Sequence, residues 1–140
     1  MTGRMSHIRR NMKEENTAYR PEQMLCAKIL RDMLKDDYEV KLEVPVILKP
    51  FDNLDVKGAI PDIVIIGKGM KSHHRIAIRI MGEIHDKPKK KIKDEDQKLV
   101  LMHNGWKVFD FWHNEMPELW NQKKYTEEEA KNSIIRTIKI

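Results

Sequence analysis

A chain of 140 residues, 40% hydrophobic and 35% charged, makes one domain the default and leaves enough material for a core without disulfide or metal staples. Its net charge of +5 favours a polyanionic partner such as nucleic acid, and the single cysteine, Cys26, excludes an internal disulfide and a thiolate-rich zinc site. No apolar run approaches the ~18 residues of a membrane span and the N-terminus lacks a signal-peptide core, so a soluble, cytoplasmic protein without a membrane partner is expected.

Residues 1–16 are polar and begin basic. They are expected to form a flexible arm, with Arg9 and Arg10 either touching nucleic acid or solvated in a tail. Residues 17–140 are expected to form the single domain. Pro21 and Glu22 open a first helix to about Lys35, because proline is tolerated where the N–H has no intrahelical partner. Leu25, Cys26, Ile29 and Met33 share one face, and Glu22 projects near the middle of it. That carboxylate either points into an active site or escapes to solvent from a dipole-favoured first turn.

Tyr38–Leu48 alternates and is rich in valine, which predicts a strand, with Pro45 marking an edge, bulge or end. Residues 49–58 are a loop with Asp52 and Asp55 as turn residues. Pro61–Gly67 is a second strand whose continuous apolar run implies cover on both faces, with Asp62 where burial starts. Residues 67–75 read as a hairpin turn with His73 and His74 exposed. Ile76–His85 is a third strand. Period 2 puts Ile76, Ile78, Ile80 and Ile84 on one face, and Ala77, Arg79, Met81, Glu83 and His85 on the other.

Lys87, Lys89, Lys90, Lys91 and Lys93 then crowd the start of a helix running to Met102, and phosphate contact is the expectation for that run. Asn104-Gly105 ends the helix as a left-handed cap. Trp106–Trp112 is a fourth strand whose flanking tryptophans either stack on bases or, as is commoner beside a buried strand, serve core and rim packing, and Thr126 with Glu129 gives a capping box for a last helix. The order α-β-β-β-α-β-α predicts an α/β fold: a central mixed four-stranded sheet flanked by helices.

Asp62 and Glu83, at neighbouring strand ends, match the one or two carboxylates that Mg²⁺ takes from a protein, with Mn²⁺ as the alternative ion. His85 is a candidate general base or acid, and Glu22 a holder of water. Together these suit hydrolysis of a phosphodiester.

The pattern of Glu22 on a helix, Pro61-Asp62 on a strand and Glu83-x-His85 on the next resembles the PD-(D/E)XK nuclease superfamily, with histidine where lysine is usual. Gly58–Ile65, Gly82–Asp86 and, above all, the run from Asp94 through Gly105-Trp106-Lys107-Val108 to Trp112 and Glu115 resemble the very-short-patch-repair endonucleases. The resemblance implies a restriction-endonuclease-like fold and a metal-dependent DNA endonuclease with Asp62 as metal ligand, His85 as catalytic histidine and Glu22 as helix carboxylate. Met81 stands where relatives carry a polar residue, and the aromatic wedge and zinc ligands of the mismatch enzymes have no counterpart, so mismatch specificity is not implied. A catalytically inactive nucleic-acid-binding module on the same fold is the alternative. A homodimer is left open, because nicking or cutting both strands depends on oligomeric state.

Overall fold

The computed structural model describes residues 19–138, so the basic arm with Arg9 and Arg10 lies outside the described residues. Helix α1 spans Pro21–Leu34 and buries Cys26, Ala27, Ile29 and Leu30, with Glu22 and Gln23 buried in its first turn. A short turn leads into β1, Tyr38–Leu42. The single strand expected to Leu48 is two strands: β1 gives way at Glu43, whose φ of 46° turns the chain. After Pro45 the two-residue β2, Val46–Ile47, pairs with β3, Gly58–Ala59, in a separate small sheet. Proline's missing N–H and the left-handed residue together make this a break that alternation alone does not reveal.

Strand β4 is Ile63–Gly67, β5 is Arg75–Met81 and β6 is Lys107–Trp112. The main sheet has the order β1-β4-β5-β6, antiparallel across the first two pairs and parallel across the last. Parallel neighbours need a crossover, and helix α2, Pro88–His103, supplies it. Helix α3, Pro117–Trp120, and helix α4, Glu127–Thr137, close the chain. The expected capping box at Thr126 and Glu129 is formed.

Strand parity sorts the core into two layers. Ile76, Ile78 and Ile80 join Ile63 and Ile65 against Leu30 of α1, Leu119 of α3 and Ile134 of α4. On the other face Val64 and Ala77 meet Val100, Leu101 and Trp106. Trp106 is therefore core, and Trp112 is half-buried. Two glycines are needed for geometry. A side chain at Gly67 would run into the backbone oxygen of Lys71 in the short 3-10 turn Gly69–Lys71. Gly105 has a φ of 87° and ends α2 in the left-handed manner expected.

The third long strand is shorter than its pattern. It stops at Met81, and Glu83–Asp86 form a 3-10 turn closed by the His85 N–H donating to Gly82 at 3.0 Å. The cause lies in its neighbours: β4 pairs only as far as Ile78, and the last β6 partner, Trp112, faces Met81. Residues beyond Met81 have no strand to bond, so the parity that put Glu83 and His85 side by side does not apply there. Ile84 leaves the isoleucine face and is 61% exposed.

Candidate active site

One end of the sheet collects the C-terminal ends of β1, β5 and β6, the start of β4, and the N-terminal ends of α1 and α2. The mouth beyond the carboxyl ends of parallel strands is where open α/β sheets bind ligands. All four expected catalytic residues belong to this end, with Glu22 buried, Asp62 and His85 half-buried and Glu83 exposed.

Asp62 precedes β4 and fills the gap left where that strand stops pairing. Its Oδ2 accepts the Ile80 backbone N–H at 2.6 Å. Burial pushes its pKa above the ordinary value. The Ile80 N–H and the Arg20 guanidinium oppose that push, Glu43 adds to it, and nearby His85 also favours the charged form. Arg20 lies between two carboxylates, with Nη2 3.5 Å from Asp62 Oδ1 and Nε 3.4 Å from Glu22 Oε1. Glu22 thus faces this centre from the first turn of α1.

Gln23, the next residue on α1, is 2% exposed. Its side-chain amide donates to Glu43 Oε2 at 3.1 Å and to the Asp62 carbonyl at 3.0 Å. The Glu43 N–H reaches the same carbonyl at 3.3 Å. One buried amide therefore ties α1, the end of β1 and the start of β4 together around Asp62, and satisfies polar groups that would be expensive to bury unpaired.

His85 is partly buried on the turn after β5, and its Nδ1 lies 2.6 Å from Asp94 Oδ2. A carboxylate can only accept, so Nδ1 carries the proton and Nε2 is left as the ring's acceptor. Lys90 also reaches Asp94, at 3.3 Å from Oδ1. Behind this pair Arg79 is 5% exposed on β5. Its Nε and Nη2 hold Asp110 at 2.7 and 2.8 Å, and its Nη1 donates to the Asp94 backbone carbonyl at 2.6 Å. Removing one partner of such a buried pair typically destabilises a fold by about 3–5 kcal/mol.

Glu83 is exposed on the 3-10 turn rather than projecting from a strand end with His85. Lys87, Lys89 and Lys91 are exposed and Lys90 half-buried around the first turn of α2, which holds no acidic residue. Cations at that end oppose the helix dipole, so apart from the Lys90–Asp94 pair the run has no local stabilising ion pair among the described residues. A second histidine–carboxylate contact, His113 Nε2 to Asp86 Oδ2 at 3.0 Å, joins the end of β6 to the same turn.

Sequence reading missed Arg20, Gln23, Glu43, Arg79, Asp94 and Asp110. Arg79 and Asp110 did carry a signal, as lone charges inside apolar strand runs. Asp94 carried a weaker one: it stands two turns before Leu101, on the buried stripe of α2. Among the described residues no three His, Cys, Asp or Glu side chains converge as a ready-made metal cage. Comparison of the chain with protein-family models, with curated proteins and with solved structures finds no match.

Proposed function

We propose that the protein is a Mg²⁺-dependent DNA endonuclease on a restriction-endonuclease-like fold of the PD-(D/E)XK type, similar to the very-short-patch-repair endonucleases. The observation that carries the reading is the carboxylate-held imidazole of His85 at the same end of the sheet as the half-buried Asp62, at the mouth of a helix that begins with lysines.

The donor set suits a water-rich Mg²⁺ site. This ion takes one or two protein carboxylates and fills its octahedron with water and phosphate oxygens, so the lack of a three-residue cage among the described residues is compatible with it. Asp62 would hold the ion through Oδ1, since Oδ2 is committed to Ile80. Glu83 is the second expected ligand, and Mn²⁺ would fit the same oxygen donors. When bound, the ion supplies charge stabilisation on the scissile phosphate.

The remaining chemistry falls to side chains. Lys87, Lys89, Lys90 and Lys91 bind and orient the DNA backbone. His85 takes a proton from the attacking water at Nε2, and Asp94 stabilises the imidazolium that forms. Glu22 orients water from the α1 side. Arg20 keeps Glu22 and Asp62 from repelling each other.

Supercoiled plasmid incubated with the protein and Mg²⁺ or Mn²⁺ should be nicked or linearised, while Asp62→Ala and His85→Ala should leave it intact. Plasmid retarded on a gel but uncut by all three would replace this reading with that of an inactive nucleic-acid-binding module. Met81 and the exposed Glu83 are the features that favour this second reading.

A further inference from the structure

We propose that the buried Arg79–Asp110 pair is a positioning device that fixes the His85 imidazole through Asp94. The inference rests on the reading of His85 as the catalytic group and adds to it what holds that group in place.

Arg79 and Asp110 are direct register partners on the parallel strands β5 and β6. The carboxylate takes two of the guanidinium's donors, at 2.7 and 2.8 Å, and fixes the plane of the fork. The third donor then points at one place, the Asp94 carbonyl, 2.6 Å away. The Asp94 carboxylate in turn meets His85 Nδ1 at 2.6 Å. An unbroken chain of polar contacts thus runs from the middle of the sheet to the ring.

Besides the Arg79 and His85 contacts at Asp94, helix α2 is tied to the sheet one turn later by Lys98, whose Nζ lies 3.8 Å from Asp110 Oδ2. Its other buried residues are Val100 and Leu101 in its second half. Asp94 stands about 9 Å of helix rise ahead of Val100. The preceding turn is largely exposed, Asp96, Gln97 and Lys98 after it are half-buried, and Lys87, Lys89 and Lys91 at the start oppose the dipole. Without Arg79 the front of α2 is a cantilever, and the Asp94 carboxylate moves with it. A pair of apolar side chains would fill the same space between β5 and β6 without desolvating two charges. What an apolar pair cannot do is direct a hydrogen bond at a particular backbone carbonyl.

The test uses the full-length protein, two variants and two readouts. Arg79→Lys keeps the charge but loses the planar fork. The double variant Arg79→Met with Asp110→Leu removes both charges together and leaves only the half-buried Lys98, 3.8 Å from Asp110 in the wild type, without its partner. The imidazole ¹⁵N shifts of His85 report which nitrogen carries the proton, and cleavage kinetics report kcat and KM separately. The wild type should show the Nδ1–H form. Both variants should remain folded and lose that preference, as should Asp94→Asn. For the Arg79 variants kcat should fall about tenfold or more with KM for DNA unchanged, the range seen when a partner behind a functional histidine is removed. A folded variant that keeps the Nδ1–H form, or one that keeps full kcat, overturns the inference. Should the double variant fail to fold, Arg79→Lys decides alone. If the wild type cuts no DNA, the nuclease reading falls, while the nitrogen shifts still decide whether Arg79 sets the ring.

Discussion

Asp62 stands under two opposing pressures. Burial and Glu43 favour its neutral form, while the Ile80 N–H, Arg20 and His85 favour its charged form, and burial prevails. A carboxyl with a raised folded pKa keeps its proton longer in the fold than in the unfolded chain. Stability therefore falls as pH rises from the ordinary carboxylate range through the raised folded value, and the charge is destabilising above it. Asp62→Asn should raise Tm by a few degrees at neutral pH, and the gain should vanish below the ordinary carboxylate pKa. Thermal melts across that range check this; an equal gain at every pH would mean that charge is not the cause. Asp62 and His85 were legible as candidates from the residues around them, and Glu22 from its place on a helix face. Glu43 and Gln23 were not, because their role depends on a left-handed turn at the end of β1 and on contacts between segments far apart in sequence. Cys26, placed by its spacing on the apolar face of α1, is fully buried, and burial drives its thiol well above the ordinary value, so it stays protonated and inert.

Helix α2 shows the same tension over a longer element. Its lysine run is unfavourable for the helix and favourable for a polyanion, so stability and binding should move in opposite directions. Lys89→Ala with Lys91→Ala spares Lys90, which pairs with Asp94. The double variant should melt at an equal or slightly higher temperature. Its DNA affinity should fall, with the logarithmic salt slope shallower by about one for each phosphate that a lysine no longer neutralises. Affinity titrations at several salt concentrations measure this, and an unchanged slope removes both residues from the interface. The helix was legible from composition and its cap from Asn104-Gly105. The end of β5 was not, because residues 82–85 continue a plausible alternation. What stops a strand is the end of its partners, and those lie in other parts of the chain.

At the scale of the molecule, the presence and order of the sheet-forming strands and their three main helices were readable from continuous apolar runs, proline starts and a glycine stop, whereas the ends of β1 and β5 were not. The small β2–β3 sheet was not, since two-residue strands carry no periodicity. Among the described residues no helix is long and apolar enough to cross a membrane. The parallel β5–β6 pair carries a kinetic consequence. Hairpin contacts such as β4–β5 close short loops, but this pair forms only after the whole α2 segment has been brought back. Arg79 meets Asp110, and the 82–86 turn meets His113, only once it is in place. The end of the sheet that carries His85 is thus expected to assemble after the β4–β5 hairpin. On refolding, helical circular dichroism should return ahead of the proposed nuclease activity, and that activity should appear together with hydrogen-exchange protection of the β6 amides. Activity that precedes that protection would show that the centre can work without its parallel strand.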